Sequence, residues 1–151
     1  MWNYEKRLQF PVNIKQTNPQ MAQVIISQFG GPDGELAASM RYLSQRYTMP
    51  IKEAAGLLSD IGTEELGHLE MVGALVHQLT RNLKDSQIEN SNFAPYFVDH
   101  TAGVYPTAAS GFPWNAASIA VKGDPIADLT EDLAADGQCS LRAQELCRMV
   151  N

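Results

Sequence analysis

The chain has 151 residues, a length that fits one domain and allows roughly 68–70% of the unfolded surface to be buried. Its 44% hydrophobic and 19% charged residues exclude a chain disordered throughout, and a net charge of −6 disfavours a nucleic-acid or anionic-membrane surface, which needs clustered Lys and Arg. No stretch approaches the roughly 20 apolar residues that cross a bilayer and residues 1–20 carry no apolar signal core, so a soluble cytoplasmic protein without nucleic-acid or membrane partners is the expectation.

In chain order, Leu8 to Ile14 reads as extended. Asn18-Pro19 then gives an N-cap and an N1 proline, opening a short helix that runs through Gln28. The run Gly30-Gly31-Pro32-Asp33-Gly34 interrupts it. From Glu35 to Tyr47 the residues Leu36, Met40, Leu43 and Tyr47 recur at 4-3-4 spacing, which predicts a helix with one apolar face. Pro50 opens a second, unusually long helical pattern that continues to Leu83. It contains Gly56, Gly62, Gly67 and Gly73, read as places where a neighbouring helix approaches closely. Residues 84–123 lack periodicity and read as a long irregular connection, whose aromatics Phe93, Tyr96, Phe97, Tyr105, Phe112 and Trp114 predict packing on the body or on another subunit. Asp124-Pro125 repeats the helix-start signature, and Ile126, Leu129 and Leu133 predict the inward seam of a third long helix. Cys139 and Cys147 lie about 12 Å apart along such a helix, beyond disulfide reach, and read as free thiols.

The chemistry is concentrated in the longest helical pattern. Leu58, Ile61, Glu65, His68, Val72, Leu75 and Leu79 alternate three and four apart, the seam of a bundled helix. Two ionisable groups thus occupy inward positions, where a buried carboxylate must be neutralised, paired or bound to a metal. At i and i+3 the two side chains leave the same face, and Glu-x-x-His in a helical bundle is a ligand pair of di-iron and di-manganese carboxylate proteins. Packing offers a second reading, in which Glu and His bond to each other or to a neighbouring helix. Glu35 at the start of its helix, Tyr42 seven residues on, and Asp136 extending the Ile126–Leu129–Leu133 seam place further polar groups at or near core faces, which favours a metal site. Glu64 is one turn before His68 and reads as solvated or as an outer partner. His77 should face away, and His100 reads as a surface residue of the loop.

Several stretches resemble the manganese catalase family: Gly30-Gly31 followed by Gly34-Glu35-Leu36-Ala37-Ala38, Arg41-Tyr42-Leu43 with Gln45-Arg46-Tyr47, and Asp60-Ile61-Gly62-Thr63-Glu64-Glu65-Leu66 leading to His68 and Glu70-Met71. The opening Met1-Trp2 with Tyr4-Glu5-Lys6 and Leu8-Gln9 resembles the spore-coat branch, the CotJC-type proteins. The resemblance implies an all-α, ferritin-like bundle, single over residues 1–151, with about three of four core helices present. It implies that Glu35 bridges two manganese ions, that Glu65 and His68 ligate one of them, and that Tyr42 is an outer partner. It also implies disproportionation of hydrogen peroxide, with Glu35, Glu65 and Tyr42 as catalytic residues. Carboxylate and imidazole ligands suit manganese or iron alike, and the resemblance favours manganese.

The family pattern has a glutamate where this chain has Asp136, expected as a further ligand, and after about residue 135 the motifs end. No second Glu-x-x-His follows His68, so the chain supplies about half of a ferritin-like site. Truncation or a frame shift after residue 135 is one expectation, weak metal binding another. A homo-oligomer or other coat proteins would then cover the open groove. The rival reading is a structural spore-coat protein without significant catalysis, and a ferritin-like iron oxidase is a third.

Overall fold

Asn18 starts the first helix as its residue type dictates: Oδ1 accepts from the Met21 N–H at 3.0 Å and Pro19 follows at the first helical position. In the computed structural model, which describes residues 3–96, 104 and 106–150 with side chains through Gly137, five α-helices follow in order. They are α1 (Pro19–Gly30), α2 (Glu35–Gln45), α3 (Lys52–Thr80), α4 (Asp85–Glu89) and α5 (Pro125–Val150). The fold is an all-α, ferritin-like bundle. Among the described residues no strand forms, and an isolated bridge pairs Thr107 with Pro113.

The long pattern is indeed one uninterrupted helix of 29 residues. It ends at Thr80 rather than Leu83, because Arg81 turns to an extended ψ of 142°, and Asn82 follows at φ 59°, a left-handed conformation that asparagine tolerates. Against it pack α1 and α2. Gly62 allows the second of these contacts, since a Cβ there would lie 2.8 Å from Leu43 Cγ, and Ser39 Oγ donates to the Gly62 carbonyl at 2.7 Å. Gly56, by contrast, faces open space, so it does not mark a helix crossing.

The apolar core lies at the C-terminal end of α3, where Val76 and Leu79 meet Ala22, Ile25 and Ile26 of α1. Phe93 and Tyr96 from the connection complete it, with ring centroids 5.2 Å apart. The connection is therefore less irregular than its composition predicts. It holds α4 and short 3-10 turns at Ala94–Tyr96 and Ala116–Ser118, and Phe93 is fully buried whereas Phe112 stays exposed. Met1, Trp2, Phe97, His100, Tyr105 and the side chains of Cys139 and Cys147 lie outside the described residues.

Two faces differ from the apolar count. On α2 the buried residues are Ala37, Ser39, Arg41, Tyr42 and Gln45, while Met40 and Tyr47 are exposed. On α5, Asp124 caps the helix by accepting from Ile126 and Ala127, as expected. Yet Ile126 and Leu133 are 80% and 76% exposed, and the buried groups are Asp128 and Asp132. The reason is polar complementarity. Asp128 accepts from the backbone N–H groups of Lys122 and Gly123 at 2.8 and 3.1 Å, and Asp132 accepts from Gln45 Nε2 at 3.1 Å. A buried face whose carboxylates find donors does not need apolar side chains.

Candidate metal centre

Glu35 opens α2, where the helix N-terminus favours a carboxylate. Glu65 and His68 face it from the middle of α3. Their contacting atoms and one from Glu35 all lie within 4.8 Å of one another. His68 Nδ1 is 2.7 Å from Glu65 Oε2 and 4.0 Å from Glu35 Oε2. The carboxylates are almost covered and the imidazole is partly open, with side-chain exposures of 12% for Glu35, 13% for Glu65 and 34% for His68. They line a cavity of about 220 Å³ together with Asp33, Arg41, Tyr42, Ala135 and Asp136.

The electrostatics follow from that burial. Desolvation pushes the Glu35 carboxyl up to about 8, helped by a hydrogen bond to Glu65 and by its charge. Glu35 is thus protonated at neutral pH and shares its proton with Glu65. Burial works to raise Glu65 as well, but hydrogen bonds from His68 and Glu35 outweigh it and hold that carboxylate below its usual range. The bond to Glu65 raises His68 against the opposing effect of burial. Without a metal, then, the site is held together by the proton on Glu35 and by the hydrogen bond between His68 and Glu65. A divalent cation would replace the proton on Glu35, and a three-atom set of two carboxylates and an imidazole fits manganese or iron.

Tyr42 and Asp136 form a second layer. The Tyr42 hydroxyl donates to Asp136 Oδ1 at 2.5 Å, and burial, followed by that hydrogen bond, raises the phenol well above its ordinary value. Tyr42 therefore stays protonated. Asp136, expected among the ligands, lines the same cavity but is largely exposed and engaged with Tyr42 rather than converging with the three ligating atoms. His77 is exposed, as its angle around the helix requires.

The structure adds groups to which sequence reasoning gave no role. Arg41 is buried in the cavity wall and donates from Nη2 to Asp33 Oδ1 at 3.1 Å. Gln45, fully buried, donates both to the Ala120 carbonyl at 2.9 Å and to Asp132. The signal for Asp132 was present: Asp128, Asp132 and Asp136 recur every four residues. That acidic stripe lies about a quarter turn from the apolar residues that the periodicity count followed.

Comparison with known proteins points the same way. The family described as manganese containing catalase matches residues 1–151, extending past residue 135 where the recognisable motifs end. Protein CotJC of Bacillus subtilis is 49% identical over 136 residues, covering 90% of this chain and 71% of the relative. A probable manganese catalase of Clostridium acetobutylicum is 32% identical over 153 residues, covering 100% of this chain and 68% of the relative. The crystal structure of KatB, a manganese catalase from Anabaena, superposes with a TM-score of 0.82 at 30% identity, over 99% of this chain and 67% of that one. A helix pair that brings Glu35 to Glu65 and His68, within a sequence matched from end to end, leaves one assignment: the chain belongs to the manganese-containing catalase family.

Proposed function

We propose that the chain acts on hydrogen peroxide at a manganese centre in which Glu35, Glu65 and His68 hold one metal ion. The observation that carries this reading is the convergence of their three ligand atoms in a partly buried cavity, where burial and the neighbouring carboxylate hold a proton on Glu35 and the carboxylates raise His68. Bound manganese supplies the redox change that disproportionation of peroxide to oxygen and water needs. The residues do the rest. Glu35 gives up its proton to become a ligand, and the partly open imidazole leaves the site accessible to a small molecule. Tyr42, kept protonated, fixes the Asp136 carboxylate through its hydroxyl.

Among the described residues, one such three-atom group forms. A second ion needs ligands from beyond the described side chains, and a second copy of the chain or a coat-protein partner is the source that we propose. On its own the chain is then a weak catalase. Likeness to CotJC favours a second reading, a structural protein of the spore coat that keeps the helical fold for assembly.

The test is metal content per chain in protein purified from manganese- and iron-supplemented cells, together with oxygen release from peroxide. Near-stoichiometric manganese with oxygen release supports the enzyme. Ordered assembly without metal supports the coat protein, and iron retained in preference to manganese points to an iron oxidase.

A further inference from the structure

His68 has a second ring nitrogen, directed away from the carboxylate pair. Its Nδ1 meets Glu65, whereas Nε2 is 3.9 Å from Oε1 of Glu64. That same Glu64 oxygen accepts from Nε2 of Gln9 at 3.4 Å, so the N-terminal arm reaches the imidazole through one carboxylate. Gly67 makes room for it: a Cβ there would stand 3.3 Å from Gln9 Oε1. Glu64 also lines a cleft of about 750 Å³ between the arm and α3, whereas His68 lines the cavity that holds the three ligating atoms.

An imidazole ligand needs its ring plane and tautomer fixed, and a carboxylate that can close from 3.9 Å onto the far nitrogen is placed to do both. Glu64 is one turn before His68 on α3, where side chains four apart are neighbours. Its side chain is 56% exposed, so the pair adds little to stability. Orientation is what it offers. We propose that Glu64 is the positioning residue of His68, turning the ring so that Nδ1 faces Glu35 and Glu65, with Gln9 of the N-terminal arm steadying Glu64 in turn. The functional meaning rests on the metal reading of Glu35, Glu65 and His68, but the juxtaposition itself is open to test without metal.

The experiment uses the whole chain, labelled with ¹⁵N-histidine, as wild type, Glu64→Ala and Glu64→Gln, followed by NMR of the His68 ring and by competition titration with Mn²⁺. In metal-free protein the Nε2 resonance of His68 moves in Glu64→Ala and is partly restored in Glu64→Gln, which keeps an acceptor oxygen. Mn²⁺ affinity falls about 10–100-fold in Glu64→Ala and less in Glu64→Gln, as expected for a partner one step removed from the metal, with the thermal midpoint unmoved. An unmoved Nε2 resonance in Glu64→Ala overturns the proposal whatever the affinity. Wild-type protein that takes up no Mn²⁺ removes the metal reading instead, and the ring shifts still decide the role of Glu64.

Discussion

One helix passes through two interiors. Toward its C-terminal end α3 contributes Val76 and Leu79 to a core of aliphatic and aromatic side chains, whereas its middle contributes Glu65 and His68 to a cavity walled by Glu35, Arg41, Tyr42 and Asp136. The helical period is the same along both. At the apolar end burial is itself the favourable free energy. At the polar end burial is a cost, offset by shared protons and hydrogen bonds, and the raised Glu35 carboxyl is its signature. Fold stability should therefore reside at one end and ligand chemistry at the other.

The largest expected effect tests that division at the apolar end. Phe93 is 0% exposed and sits between α1, α3 and Tyr96. Truncation in Phe93→Ala should cost about 3–5 kcal/mol of unfolding free energy, the range for a large core side chain replaced by alanine. Urea denaturation measures it. Under conditions where the variant is fully folded, its Mn²⁺ affinity should equal that of the wild type. A folded Phe93→Ala protein that has lost metal binding would show that the two ends are coupled.

Next in size is Glu35→Gln. Because Glu35 is protonated at neutral pH, an amide of the same shape should change metal-free stability by less than about 1 kcal/mol. Mn²⁺ affinity should nevertheless fall by more than about 100-fold, beyond what loss of an outer partner costs. The same variant sharpens a pH contrast. The folded-state value of Glu35, about 8, lies above its ordinary 4.5. Its stabilising contribution is therefore complete below that ordinary value and is lost as pH rises through the folded one. His68, also raised, acts in the same direction, and Glu65, lowered, matters only on the acid side. The metal-free thermal midpoint should fall between about pH 5 and about pH 9. The increment added by Mn²⁺, which needs both groups deprotonated, should grow over the same range. Glu35→Gln should flatten the first trend and abolish the second. Parallel trends in the wild type would remove the proton-for-metal exchange.

Much of this division was legible in the sequence where local chemistry decides structure. Asn18-Pro19 and Asp124-Pro125 announce α1 and α5 because their side chains and fixed φ satisfy helix ends without tertiary help. Glu65 and His68 were legible because three residues apart in an unbroken helix leaves them no other relation, and Glu35 because a carboxylate at a helix start has a favoured place. What the sequence concealed were the faces chosen by partners. Met40, Tyr47, Ile126 and Leu133 are apolar at seam spacing yet exposed, since polar groups of α2 and α5 satisfy one another and claim the contact. Phe93 and Tyr96 were legible as packed, but not as members of the same core as α1, because that pairing is long-range.

The smallest effect probes the polar contact that periodicity missed. Asp132 is 5% exposed, and desolvation pushes its carboxyl up to about 6 although the Gln45 hydrogen bond opposes the rise. Its Oδ1 accepts from Gln45, while Oδ2 has no partner within the protein. Ionised Asp132 is thus less stable in the fold than the protonated acid. Its contribution is complete below the ordinary 3.8 and declines as pH rises through the folded value. Asp132→Asn keeps an oxygen for Gln45 and removes the charge. With solvent screening along α5 discounting the effect, it should raise stability by up to about 1 kcal/mol at pH 8, and the gain should vanish near pH 4. Thermal denaturation across that range measures it. A loss of stability at pH 8 would mean that the Asp132 charge is required, with the buried Arg41 nearby as the group that it neutralises. The α2–α5 contact would then be an ion-pair network, and the polar end would contribute to stability as well as to chemistry.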